Sequence, residues 1–266
     1  MKGLKLIILF STLTSCSQIW AQSDESNDHS VYFSIHGGAY HASKKTASYY
    51  DGTGANNIAQ VIGIPTVYNQ IYNQLGYNFN IGSYPYEPRY RIGLDLGIDA
   101  GWWLSAYTAL SLGVSYNSLK FKEAFTLEAE NPANPNGDPL VFIQQILATE
   151  QRFQIDLGLH HDVGGNEKYM TFFEWGANFS ALKPVKHEIL VEQNLRYNLM
   201  YQVNYFNIVP KTELGYGGFI GFGCRMAFPK NMALDFGGKL YLQKLQLGNN
   251  KGFMFSQLIF MRIVYK

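Results

Sequence analysis

Between residues 90 and 102 the chain reads YRIGLDLGIDAGW, with apolar and polar positions alternating one for one. Tyr90, Ile92, Leu94, Leu96, Ile98, Ala100 and Trp102 fall on one face. Arg91, Gly93, Asp95, Gly97, Asp99 and Gly101 fall on the other. Successive side chains of a strand point to opposite faces, so the stretch predicts one long two-faced strand. At ~3.3 Å per residue it can cross a hydrocarbon layer at a tilt. The period recurs at 108–117, 152–160, 173–181, 213–226 and 232–243. In 31–40, Val31, Phe33 and Ile35 oppose Tyr32, Ser34 and His36. In 253–265 both faces are apolar, and Phe253, Phe255, Ile259, Met261, Ile263 and Tyr265 form the better outward set. The expectation is eight strands.

Connection lengths add a second regularity. Long excursions at about 43–85, 128–145 and 183–211, with a shorter one at 246–252, alternate with short links at Leu104-Ser105-Ala106, 162–168 and 229–231. An even strand count then puts both termini and every short turn on one side. Short periplasmic turns and longer outer loops are the layout of outer-membrane barrels. Period 2 alone also fits a soluble lipocalin-like barrel with its apolar face inward. Three features favour apolar side out. The polar face holds Gly, Ser and Asp, which suit a crowded eight-strand lumen. Trp102, Trp103 and Tyr107 gather at a short-turn end, with Tyr84, Tyr86 and Tyr90 at the other, as interfacial belts do. The strands are also long for a soluble barrel.

Composition agrees. The chain has 19 Tyr, 18 Phe, 4 Trp and 26 Gly with only 15% charged residues. No stretch approaches an apolar transmembrane helix. Lys2 and Lys5 precede a short apolar run at 4–13, so residues 1–21 read as an export signal and 22–266 as the barrel domain. LTSC at 13–16 offers lipidation at Cys16, whereas Ala21-Gln22 offers an ordinary cut; the ordinary cut is favoured because a barrel supplies its own attachment. Beyond residue 21 there remain 19 basic and 20 acidic side chains, a net −1 that offers no basic face for nucleic acid. Cys224 is the only cysteine left there, which excludes an intramolecular disulfide.

The inward positions collect Arg91, Asp95, Asp99, Arg152, Asp156, Glu174, Glu213, Arg225, Asp235 and Lys239. Buried charges must be paired, so these are read as a lumenal network, joined by His36, that plugs and braces the barrel. An ion pathway meets the size of an eight-strand interior, which side chains fill.

Several stretches resemble the small eight-stranded outer-membrane barrels of the OmpA/OmpX-like type found in Bacteroidota. They are YYDGTGANNI (49–58), RYRIGLDLGIDAGWW (89–103), FKEAFTLE (121–128), RFQIDLGLHHD (152–162), YGGFIGFGCRM (216–226) and the final FMRIVYK. Such barrels often end on an aromatic residue, whereas here Lys266 follows Tyr265. The resemblance implies an all-β antiparallel up-and-down transmembrane barrel in the outer membrane, with both termini periplasmic. It implies a structural or interaction role through outer loops, one form of which is an accessory subunit of a larger envelope complex. The partners are then outer-membrane lipid and other envelope proteins, with no cofactor.

Candidate chemistry is sparse. His41-Ala42-Ser43 resembles the His-x-Ser of lipid A-modifying barrels but lacks a following Asn; a polar loop entry is the plainer reading, and a lipid A enzyme or a small channel are the alternatives. His160-His161-Asp162 is expected as a polar turn, its adjacent imidazoles pointing to opposite faces and so unable to share a metal. In the first long loop Pro65 is suited to start a helix whose face carries Tyr68, Ile71, Tyr72 and Leu75. The Tyr/Asn-rich stretch 189–209 suits adaptable contacts or a self-packed cap.

Overall fold

The computed structural model describes residues 30–54, 57–133, 137–166, 168–200, 212–245, 247 and 252–265. The two exit signals, including Cys16, lie outside these, as do 201–211 and most of 246–252. The long strands are β1 (Val31–His41), β3 (Gly93–Trp103), β4 (Thr108–Ala129), β5 (Leu140–Gly165), β6 (Tyr169–Val191), β8 (Glu213–Phe228), β9 (Met232–Leu245) and β10 (Phe253–Tyr265). Two short strands, β2 (Phe79–Ile81) and β7 (Leu195–Asn198), pair with β4 and β6. Each long strand is antiparallel to its neighbour in the chain. The ring closes where β1 pairs β10, with Phe33 opposite Tyr265 and His41 opposite Gln257. The fold is therefore an eight-stranded antiparallel up-and-down barrel without a free edge around its girth.

The alternation seen in the sequence becomes inside and outside. On β10 the outward residues are Phe253, Phe255, Gln257, Ile259, Met261, Ile263 and Tyr265, all exposed, while the residues between them are buried. Twelve steps at ~3.4 Å and a tilt of ~40° give a band of about 30 Å, matching a hydrocarbon layer. The belt continues through Leu96, Ile98, Leu112, Phe179, Ile220 and Phe236. Such a belt outside a charged interior makes this a transmembrane barrel. Inward glycines leave room for the larger polar groups. A Cβ on Gly97 would meet the His36 ring at 2.4 Å, and one on Gly113 the Asp99 carboxylate at 2.4 Å.

The expected loops 128–145 and 183–211 are shorter in the structure, because β4, β5 and β6 run on for 22, 26 and 23 residues. On β4 and β6 the polarity of the faces inverts along the strand, whereas β5 keeps Val141 and Ile143 exposed and Gln144, Glu150 and Arg152 buried. On β4, Leu110, Leu112 and Tyr116 point outward; further along the same face come Lys120 and Lys122. The inward face changes from Gly113, Ser115 and Asn117 to Leu119, Phe121, Phe125 and Leu127, all buried. The first part is arranged for lipid outside, the second for water outside.

The buried side of this extension forms the core of an external lobe, with 43–78 folded over it. That segment holds α1 (Lys44–Ala47), a 3-10 turn (Ser48–Tyr50), α2 (Ile58–Ile62) and α3 (Pro65–Leu75). Pro65 opens α3, and Gly76 closes it with φ of 78°. Ile71 and Leu75 are buried and Tyr68 packs partly, but Tyr72 is exposed. The inward face of α3 is thus narrower than the sequence pattern implies.

The inversion predicts different costs on one barrel. Ile98→Arg, in the belt, is expected to destabilise folding into lipid vesicles by about 2–4 kcal/mol. Ala124→Arg, outward on β4 above the belt, should cost less than about 1 kcal/mol. Urea titration of both variants in vesicles checks this.

Candidate functional site

Two polar assemblies occupy the barrel interior, one in the lumen and one at the mouth. In the lumen, Arg225 binds Asp235 through two nitrogens, Nε to Oδ1 at 2.8 Å and Nη2 to Oδ2 at 3.0 Å. Arg262 donates from Nε to Asp235 Oδ2 at 3.0 Å and from Nη2 to Glu174 Oε1 at 2.6 Å. Lys239 donates to Asp156 at 3.0 Å, and the Tyr241 hydroxyl donates to the same oxygen at 3.0 Å. Asn178 joins Asp156 at 2.6 Å and also accepts from Gln243. His36 lies 2.8 Å from Asp99 through Nδ1; Asp95 stands 3.1 Å from its Nε2, off the line of a hydrogen bond. His160 bridges Glu174 at 2.9 Å and Asp162 at 3.0 Å.

Of the ten charged residues expected inside, the structure gathers Asp95, Asp99, Asp156, Glu174, Arg225, Asp235 and Lys239 in this lumen, with Arg152 higher at the mouth. Arg91 does not join them. The strand expected from Tyr90 begins only at Gly93, and across the break the parity slips: Tyr90 is buried and Arg91 exposed. Glu213 is half-buried at the top of β8, and no ion pair is formed by it among the described residues.

Arg262, a hub of the network, stands among apolar Phe260, Met261, Ile263 and Val264, so no alternation marks it in the sequence. His160 and Asp162, expected in a polar turn, lie inside β5 and are buried, since that strand runs on to Gly165. His161 points the other way and contacts Thr108 at 2.9 Å. Of the interfacial aromatics, Trp102 and Tyr107 are exposed, but Trp103 is buried against Tyr32 and His160. Adjacent residues of one strand cannot both face lipid.

At the mouth, Arg152 Nε donates to Glu150 Oε1 at 2.5 Å with both side chains fully buried. Glu150 Oε2 accepts from the Tyr50 hydroxyl at 3.0 Å and the Tyr90 hydroxyl at 2.6 Å. Arg152 also donates to Thr46 at 3.0 Å and lies over the rings of Tyr40 and Tyr90. This ion pair on β5 therefore holds α1, the 3-10 turn and the approach to β3 over the mouth. Burial pushes the Tyr50 and Tyr90 phenols well above their usual range, and Glu150 adds to it, so both stay donors. His187, on β6 above the belt, donates from Nε2 to the Tyr50 carbonyl at 3.2 Å. Burial holds its imidazole down at about 4.

Ser43, of the His-x-Ser candidate, accepts from the Lys45 amide and caps α1, while His41 is exposed on the outer wall. The void among His36, Lys239, Leu258, Phe260 and Arg262 is too small to hold a water molecule. The described interior is packed rather than open, as eight strands require.

The site thus defines a class: a membrane barrel with a filled lumen and a capped mouth. The chain is similar to Neisserial surface protein A (NspA), with 11% identity and a TM-score of 0.44 over 89% of this chain and 96% of that one. It is also similar to Ail, the attachment invasion locus protein of Yersinia pestis, solved in complex with the heparin analogue sucrose octasulfate. There the identity is 8% and the TM-score 0.34, over 88% and 99% of the two chains. No protein-family model matches the chain, and no curated protein does.

Removing one partner of the mouth pair strands a buried charge. Glu150→Ala should destabilise the cap by about 3–5 kcal/mol, and Tyr90→Phe by about 1.5–3 kcal/mol. Limited proteolysis of the lobe reads both.

His187 sets a pH dependence of the opposite sense to a stabilised cation. Its folded value near 4 lies below its ordinary 6.5, so its contribution is complete above pH 6.5 and is lost as pH falls towards 4. The loss amounts to about 3 kcal/mol. The same proteolysis followed against pH should show this slope in the wild type and its disappearance in His187→Gln.

Proposed function

We propose that this protein resides in the outer membrane and acts through its external lobe, as a structural or interaction element. The observation that carries the reading is the extension of β4, β5 and β6 above the belt, with the faces of β4 and β6 inverted. These strands leave the lipid zone and build a separate hydrophobic core over a mouth closed by Glu150 and Arg152. With the interior filled, contact surface is offered outside the membrane. That surface carries exposed Tyr72, Tyr77 and Tyr86, residues suited to protein or glycan contacts. Other envelope proteins are the partners this suits, and an accessory role in a larger assembly is one form of it.

The orientation follows from loop length. The turns at 104–107 and 229–231, the facing ends of β5 at Gly165 and β6 at Tyr169, and the described ends of β1 and β10 share one end of the barrel. Short turns belong to the periplasmic side. The proposal includes residues 1–21 as a cleaved export signal, cut after Ala21 rather than at Cys16.

Labelling of intact cells with a membrane-impermeant maleimide, in a Cys224→Ala background, tests the arrangement. Ala124→Cys, outward on the lobe, should label on intact cells, and Ser105→Cys, in a short turn, only after permeabilisation. Labelling of Ser105→Cys alone on intact cells would reverse the orientation. Recovery of the protein in the soluble fraction would sink the membrane reading.

A further inference from the structure

Above the apolar belt the outer wall is not uniform around the barrel. On the side of β3, β4 and β6 it carries Arg91, Lys120, Lys122, Lys183 and Lys186, all exposed. The register brings them together. The Arg91 amide donates to the Lys120 carbonyl at 2.8 Å. Lys120 stands opposite Thr149, which stands opposite Lys186, while Gln151 stands opposite Lys183. Lys122 lies two residues above Lys120 on the same face. Arg91 to Lys186 covers three strand spacings, about 14 Å. Among the described residues, the uppermost outward positions of the other four strands are Leu214, Lys244, Phe253 and His41, a far weaker positive charge.

Little of this charge is neutralised within the protein. Lys186 and Arg196 share Glu188, at 2.8 and 2.6 Å. Among the described residues, Arg91, Lys120, Lys122 and Lys183 have no ion-pair partner. Cations on neighbouring strands repel, so the cluster gains from an anion laid against it. Directly beneath, on the same wall, are exposed Leu94, Tyr116, Phe153 and Phe179. A cationic row above an apolar wall complements a molecule with phosphate above and acyl chains below.

We propose that this face binds the phosphate groups of a phosphorylated lipid in the adjoining leaflet, with the acyl chains lying against the wall beneath. The assignment rests on the membrane reading and orientation above. Lysine and arginine supply charge-assisted hydrogen bonds to phosphate oxygens, and the apolar wall selects a lipid over a soluble anion.

The test uses the full chain as exported, folded in neutral detergent, with native mass spectrometry counting bound probe. The probes are diphosphoryl lipid A, its dephosphorylated form and inorganic phosphate. The wild type should retain the diphosphoryl lipid and release the dephosphorylated one. Lys120→Gln/Lys122→Gln/Lys183→Gln should weaken retention by a factor of about five per lysine, roughly a hundred-fold in all. Lys168→Gln/Lys230→Gln, at the opposite end of the barrel, should leave it unchanged. Equal retention of the two lipids, undiminished retention by the triple variant, or binding of inorganic phosphate as tight as that of the lipid would each overturn the assignment. Every sample is also run on a denaturing gel with and without boiling. A heat-shifted band without lipid selectivity defeats this assignment alone; no shift defeats the barrel reading and the assignment with it.

Discussion

A bilayer offers no water to an unpaired backbone group, and every other feature of this molecule follows from meeting that constraint by closing a sheet on itself. The pairing of β1 with β10 removes the last two edges. Closure makes two faces, one against lipid and one enclosed. With eight strands the enclosed face has room only for side chains. The chain therefore needs large apolar residues outside and interlocking polar groups inside, with glycines wherever two large groups would otherwise collide, as His36 would with a side chain at Gly97.

The lumenal charges show how such an interior is satisfied. Asp235 is shared by Arg225 and Arg262, Glu174 by Arg262 and His160, and Asp156 by Lys239, Tyr241 and Asn178. Five strands contribute, so the network ties these staves of the barrel to one another. Each charge has lost water, and the shared contacts replace it. The removal of one member leaves the others uncompensated. The same logic is repeated at the mouth with fewer members. There the Glu150–Arg152 pair fastens a helical segment that the strands alone would not hold.

The mouth and the lobe are where this barrel departs from a minimal membrane span. Three strands outlast the hydrocarbon layer, and the faces of β4 and β6 exchange character when they leave it. Facing water, they bury the opposite side and so acquire a core that the helices of 43–78 complete. The lobe and the membrane wall are therefore built from the same strands, which couples the external surface mechanically to the barrel. The positive wall sits at the change between the two regimes.

The period-2 alternation, the number of strands and the side that faces lipid were all legible along the chain, because a strand repeats every two residues and local order suffices to show it. Seven of the lumenal charges, and Arg152 at the mouth, were legible for the same reason. What the pattern could not show was where parity breaks. The slip between Tyr90 and Gly93, which turns Tyr90 inward and Arg91 outward, depends on backbone pairing with β4. Nor could it show that Arg262 is the hub, since its neighbours on both faces are apolar, or that Trp103 turns in while Trp102 stays out. The reach of β4 and β6 beyond the membrane was hidden because an inverted pattern reads locally as the end of a strand. Alternation is a property of neighbours in sequence. The partners of Glu150, Arg262 and His160 lie on other strands or loops, and only closure of the ring and folding of the cap bring them together.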